Sequence, residues 1–233
     1  DNYYASIQEA IDAAESGDEI VLLVNINLDE TALGLLDNQY STYFKVEGKT
    51  ITIDLNGKTI SGEFNSTPML VGVFSTDNNG HLTLVDNSAE QDALVDLTSG
   101  NDQVYALIAN YEAGSTITIN GGTYNLDNAI DSHMYTGGDE GIIVNGGNFY
   151  LGNVGTGDNG KPWIFNALGQ NANNVVVNGG TFNADVNHQY WANEVYVLET
   201  KALQKIAEKT WTVVEAVAYV NETGTSTGAT ERK

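Results

Sequence analysis

The chain has 233 residues, enough for a substantial core, and its 25 glycines, 12 tyrosines and only 2 prolines make a turn-rich β composition. Thirty-one acidic residues against nine basic ones give a formal charge of −22, so a nucleic-acid backbone, an anionic membrane or an unbridged polyanionic polysaccharide is repelled over most of the surface. There is no cysteine to indicate a redox compartment, and no apolar run approaches the ~20 residues that span a bilayer.

The chain opens at Asp1 without a signal-peptide pattern, which reads as a mature form or an excised fragment. Residues 6–16 place Ile7, Ala10, Ile11 and Ala14 at helical spacing on one face, with Ser6 as the start signal and Gly17 as the stop. A short amphipathic helix of this kind covers the open end of a repeating β structure, and residues 1–19 are read as that cap. Residues 25–43 carry Leu28, Leu33, Leu35 and Leu36 among acids and amides, and read as an inserted loop or short helix beside the first coil.

From Phe44 onward the chain parses as strand, turn, strand, turn, strand. One phrase occurs three times: Ile117-Thr-Ile119-Asn120-Gly121-Gly122-Thr-Tyr124, Ile142-Ile-Val144-Asn145-Gly146-Gly147-Asn-Phe149 and Val175-Val-Val177-Asn178-Gly179-Gly180-Thr-Phe182. Apolar alternation before the Asn buries one face of a strand, and Asn-Gly-Gly breaks it, because these residues tolerate positive φ. A single Asn-Gly between alternating runs signals a β-hairpin. Three copies with the same apolar columns signal stacked coils instead, each burying its inward residue against its equivalent about 4.8 Å away. Ile53, Leu82, Ile117, Ile142 and Val175 are taken as equivalents, recurring every 25 to 35 residues. A second apolar strand precedes most of them, as in Tyr43–Val46, Met69–Phe74, Val104–Ile108 and Trp163–Leu168. Parallel strands at this spacing with no crossover helix wind into a three-faced prism.

After about Ala184 the pattern changes. Residues 194–198 read as a strand, 200–209 as a short helix with Ala202, Leu203, Ile206 and Ala207 on one side, and 210–220 as a final strand. The expected organisation is a cap over 1–19, a parallel β-helix over 20–185, a strand-helix-strand cap over 186–220 and a polar tail over 221–233. The expected fold class is all-β.

The cap phrase Ser6-Ile-Gln-Glu-Ala-Ile11 leading to Gly17-Asp18-Glu19-Ile20, the rung Ile51 to Ile60 and the three Asn-Gly-Gly rungs resemble the right-handed parallel β-helix, or pectate-lyase-like, superfamily over roughly residues 5–185. In style the sequence is similar to β-helical modules of gut-bacterial surface proteins and of phage fibres and spikes. The resemblance implies fold more than function, since this architecture carries lyases, hydrolases, adhesins and virion parts. Pectate lyases need a basic residue, typically Arg, with calcium-holding acids; the only Arg here is Arg232, in the tail. Related glycoside hydrolases pair carboxylates about 5 to 10 Å apart beside a Gly-His-Gly signature, and the only Gly-His, Gly80-His81, is followed by Leu82. Neither catalytic set carries over.

Four groups of residues remain as candidates. Asp131, His133, Asp139 and Glu140 lie in a long turn before the Ile142 rung; Asp131, His133 and Glu140 are either an acid/base set or a solvated acidic turn. Trp163 is either a sugar-stacking aromatic or core. His188, Tyr190 and Trp191 form either a binding patch or a seal under the C-terminal cap. Asp139 and Asp158, in Gly-rich turns, are the weak calcium candidates; no other cofactor or metal is expected. The Asn120, Asn145, Asn178 column reads as a structural amide ladder. Within residues 20–185 the only Thr-x-Thr pairs, of the kind that in regular arrays orders ice-like water, are Thr50/Thr52 and Thr116/Thr118, and no intervening rung is expected to repeat them.

Two functions follow as expectations. The first is a non-catalytic extracellular, cell-surface or virion module, structural or adhesive, with a glycan or a cell-surface or virion protein as partner and a homotrimer as a candidate assembly. The alternative is a polysaccharide-active enzyme, lyase or glycoside hydrolase, on the same β-helix.

Overall fold

Alternating apolar residues bury one side of a strand, and the chain uses that side repeatedly to enclose a single tube. The computed structural model describes residues 2–29, 34–35, 40–65, 69–100, 104–111, 114–137, 141–152, 163–167, 175–184, 186, 196–197 and 200–216. Among these residues the strands fall into three sheets. The first stacks Glu19–Val21, Thr50–Asp54, His81–Val85, Thr116–Ile119, Ile142–Val144, Val175–Val177 and Tyr196–Val197. The second stacks Ile26–Asn27, Thr59–Phe64, Leu94–Ser99, Thr123–Asp127, Asn148–Leu151 and Thr181–Phe182, then Thr210–Glu215 and Lys201–Ala207. The third stacks Gly34–Leu35, Tyr40–Glu47, Met69–Asp77, Ile108–Asn110, Ser132–Thr136 and Trp163–Ala167. From Tyr40 on, the chain visits the third, first and second sheets in rotation. The protein is therefore a parallel β-solenoid.

The Asn-Gly corners do not close hairpins, because Thr116–Ile119 pairs with His81–Val85 and Ile142–Val144 on its two sides, both in parallel. The inward columns of the first sheet are Ile51, Leu82, Ile117, Ile142, Val175 and Ile53, Leu84, Ile119, Val144, Val177, all buried. The equivalent of Leu82 is thus Ile51 and not Ile53. The run Ile51-Thr-Ile53-Asp-Leu55 has three alternating apolar positions, so pattern alone left its register two residues out.

That register also revises the threonine pattern. Thr83 sits between Thr52 and Thr118, and His81 between Thr50 and Thr116, with its Nδ1 2.9 Å from the Thr116 hydroxyl. The outward column Thr52, Thr83, Thr118 is continuous over three rungs and then gives way to Ile143 and Val176.

Aromatic rings fill the second sheet's side of the tube. Tyr124, Phe149 and Phe182 lie directly above one another, with centroid spacings of 5.3 and 5.1 Å and interplanar angles of 7° and 14°. The turn that precedes each ring explains the two glycines. A Cβ on Gly179 would stand 2.1 Å from the carbonyl oxygen of Asn145 one rung below, and one on Gly146 would stand 2.7 Å from that of Asn120. The second glycines, Gly147 and Gly180, have φ of +101° and +104° with a Phe ring packed beneath. The asparagines bond along the stack, Asn145 Nδ2 donating to Asn120 Oδ1 at 2.9 Å and Asn178 Nδ2 to Asn145 Oδ1 at 2.7 Å, so the column is the expected amide ladder.

The N-terminal helix spans Ile7–Ala13, shorter than the pattern suggested, and buries Ile7, Ala10 and Ile11 against the first coils. Ser6 caps it by accepting from the Glu9 N–H at 3.2 Å, and the Lys49 ammonium donates to the carbonyls of Ile11 and Ala14 at 2.9 Å each. Within 25–43 the described residues form strands and no helix, Gly34–Leu35 running antiparallel to Tyr40–Glu47.

The expected C-terminal helix is absent. Lys201–Ala207 is a strand, in a hairpin with Thr210–Glu215 that adds antiparallel to Thr181–Phe182. A ten-residue helix is marginal in water, whereas the open sheet edge offers a full row of backbone partners, and the tertiary contact wins over local propensity.

The glycine geometry gives a clean comparison. Gly121 is the rung's exception: a Cβ there meets nothing nearer than 3.5 Å and its φ is not positive. Gly179→Ala is expected to lower stability by about 2–3 kcal/mol through backbone collision, while Gly121→Ala changes it by less than about 0.5 kcal/mol. Urea unfolding midpoints of the two variants check this.

Candidate functional site

The third sheet carries the chemistry singled out before the Ile142 rung, but divides it between two faces. Ser132–Thr136 is a strand and not a turn, pairing with Ile108–Asn110 on one side and Trp163–Ala167 on the other. The expected turn reads as polar because Ser132, His133 and Thr136 interrupt it, yet all three are buried.

His133 lies inside the tube. Its ring meets Phe149 edge to face at 5.7 Å, and its Nε2 is 2.9 Å from the carbonyl of Tyr124. An N–H on Nε2 donates to that carbonyl, which leaves Nδ1 as a buried acceptor with no hydrogen bond. Burial pushes its pKa down to about 4, against the smaller opposing effect of that hydrogen bond, so the imidazole is neutral at pH 7.

A few residues away, a second buried polar group is fully used. Asn110 donates to the Thr76 hydroxyl at 3.0 Å and to the Ser115 carbonyl at 2.7 Å, and accepts from Thr136 at 3.2 Å. These groups hold a corner of the tube and face no solvent.

Asp131 belongs to the outer face. Its carboxylate accepts from Asn166 Nδ2 at 2.6 Å and from the Ser132 hydroxyl at 3.0 Å, with the Tyr105 hydroxyl as a further donor. Burial holds its pKa above the usual carboxylate value, and these three hydrogen bonds offset that only in part. Asn166 is itself buried and its Oδ1 has no hydrogen-bond partner.

Three tyrosines adjoin this pair. Tyr135, in register with Asn166, has Tyr105 at 5.6 Å and Tyr111 at 6.0 Å. Burial raises the pKa of both Tyr135 and Tyr111; the charge of Asp131 adds to it at Tyr135, and the neighbouring tyrosines and Asp77 add to it at Tyr111. The flank therefore places half-buried tyrosine rings beside a carboxylate that accepts from Asn166, Ser132 and Tyr105, and beside the buried amide of Asn166. Tyr105, Tyr111, Tyr135 and Asn166 were not singled out from the sequence. They come from three different rungs, and only the winding of the chain brings them together.

Trp163 opens the next strand, is largely buried beside Ser132, and donates its backbone N–H to the Asp131 carbonyl at 2.9 Å. It reads as core of this flank. Glu140, His188, Tyr190 and Trp191 lie outside the described residues, as do the calcium candidates Asp139 and Asp158. Among the described residues no three His, Asp or Glu side chains gather as a metal site.

Two buried carboxylates elsewhere are saturated by the backbone. Asp54 Oδ1 accepts from the N–H groups of Asn56 and Asn87 at 2.8 and 3.0 Å. Asp86 accepts from Gly57, Ser88 and Ala93 at 3.0, 3.2 and 2.8 Å. Burial works against the Asp86 charge, but hydrogen bonds from Ser88, Ala93 and Gly57 outweigh it and hold the pKa below the ordinary value. These carboxylates tie rungs together.

His133 and Asp131 thus face opposite sides of one sheet. The imidazole makes stability pH-dependent. Its folded pKa of about 4 lies below the unfolded value of ~6.5, so protonation favours the unfolded chain. Its contribution is complete above ~6.5 and is lost as pH falls toward 4, by about 2 kcal/mol between pH 7 and 5. Denaturant midpoints at pH 7 and 5 are expected to show this loss in the wild type and a flatter profile in His133→Phe.

No protein-family model, no curated protein and no solved structure matches the chain.

Proposed function

We propose that the protein is a non-catalytic module displayed outside a cell or on a virion, a stiff acidic solenoid whose third-sheet flank binds a glycan or a receptor surface. The observation that carries this reading is the row of Tyr105, Tyr135 and Tyr111 beside the Asp131–Asn166 pair. Aromatic faces next to planar hydrogen-bonding groups suit a sugar ring, which has apolar C–H faces and a polar rim. A charge of −22 favours neutral or cationic partners over anionic ones. Adhesion also accords with the rest of the solenoid, where buried polar groups are spent on holding rungs together.

A polysaccharide-active enzyme is the second reading, and one observation favours it. Asp131 is held above its usual pKa, as a general acid requires. Its partner would have to come from residues such as Glu140.

A glycan array followed by incubation with the hits separates the two. Saturable binding without turnover is expected, with affinity reduced about tenfold or more in Tyr135→Ala and the fold retained by circular dichroism. Cleavage of a glycan that is abolished by Glu140→Gln or Asp131→Asn would replace the binding reading with the enzymatic one.

A further inference from the structure

Among the described residues the exposed large apolar side chains gather at the N-terminal end, with one more, Ile206, at the other. At the N-terminal end Tyr3 is 79% exposed, Leu23 61% and Val24 66%, with Tyr4 and Val21 beside them. They border an open cleft of about 430 Å³ between the helix and the first coil. At the other end Ile206 is 55% exposed on the last strand of the second sheet. Along the flanks only Tyr150 is comparable among the described residues. A single exposed Leu is unremarkable on any protein, but a cluster of five at one site marks an interaction surface.

The two ends also differ in charge. Residues 2–29 carry six acidic side chains and no Lys, Arg or His, and among the described residues the one cation seated on them is Lys49, whose ammonium donates to the helix carbonyls of Ile11, Asp12 and Ala14. The terminal hairpin carries Lys201, Lys205 and Lys209, three of the nine basic residues in the chain, with Glu208 and Glu215. Lys201 pairs with Glu215, while Lys205 lies 5.3 Å over the Trp211 ring and Lys209 stands at the exposed hairpin turn. Both ends belong to the same sheet: Ile26–Asn27 is its first strand and Lys201–Ala207 its last.

We infer that these ends are complementary and that the protein associates head to tail with a second copy of itself, the lysine-bearing edge of one copy seating on the acidic, apolar N-terminal end of the next. Lysine on an edge strand repels another lysine edge, and the acidic end repels its like, so the charges select against both symmetric pairings and leave only the unlike one. Such a contact is heterologous. It does not close on itself, and growth continues along the solenoid axis.

Sedimentation velocity over a range of protein and salt concentrations tests this. The wild type is expected to grow in mean mass with concentration without settling at a fixed stoichiometry, and to dissociate as salt rises. Leu23→Asp with Val24→Asp blocks the head, and Ile206→Asp with Lys205→Glu blocks the tail; all four positions are exposed, and circular dichroism checks that each variant folds. Each blocked form alone is expected to be monomeric, and their equimolar mixture to stop at a dimer. A wild type that stays monomeric over the whole salt range, including intermediate salt that screens the repulsion between two chains of charge −22, or a blocked form that dimerises with itself, would overturn the inference.

Discussion

The repeating part of this protein follows from one constraint: equivalent residues in successive coils must stack at the spacing of a parallel ladder, about 4.8 Å. Phe149 sits 5.1 Å from Phe182 and 5.3 Å from Tyr124 because a ring can do little else when its strand is so paired. The same spacing brings the Asn145 carbonyl so close to the next turn that the residue above must lack a Cβ, which is why Gly179 is there. It also places amide above amide, so that Asn145 donates to Asn120 and Asn178 to Asn145. Strand, turn and side chain are separate consequences of one repeat distance.

Stacking also decides the fate of polar groups, as two aspartates with opposite shifts illustrate. Asp86 draws on the Ser88 hydroxyl and on the backbone N–H groups of Ala93, Ser88 and Gly57, and together these hold its pKa below the ordinary value despite its burial. Asp131 has only side-chain donors, and there burial prevails. The difference lies in the number and rigidity of the donors, since the residue is the same. His133 is the third case: the backbone groups of Tyr124 and of His133 itself favour its protonated ring, but too little to retain a proton against burial inside an apolar tube.

A repeat that pairs every strand on both sides leaves the protein two kinds of free surface. The flanks are continuous sheets whose outward columns are set by register, and one of them gathers tyrosines from successive rungs. Among the described residues the ladder stops at Glu19–Val21 and Ile26–Asn27 at one end, where Val21, Leu23 and Val24 are exposed, and at Lys201–Ala207 at the other. The helix Ile7–Ala13 covers part of one end, and the antiparallel hairpin turns the chain back on itself at the other. Recognition by the flank and association through the ends are therefore distinct uses of the same architecture.

The repeat itself was legible in the chain. Three copies of Asn-Gly-Gly with the same apolar columns dictated a parallel solenoid, because only stacking gives separate coils a reason to keep one register. Local pattern also located the capping helix and the amide ladder. It misplaced Ile51 by one alternation, read Ser132–Thr136 as a turn and made a helix of Lys201–Ala207. Each of these errors concerns a segment whose state depends on a neighbour far away in sequence: which strand lies beneath, which core receives an imidazole, which edge stands unpaired. The grouping of Tyr105, Tyr111, Tyr135, Asp131 and Asn166 was invisible for the same reason. Residues on separate coils become neighbours only when the length of every intervening turn is fixed, and turn length is what this sequence varies most freely.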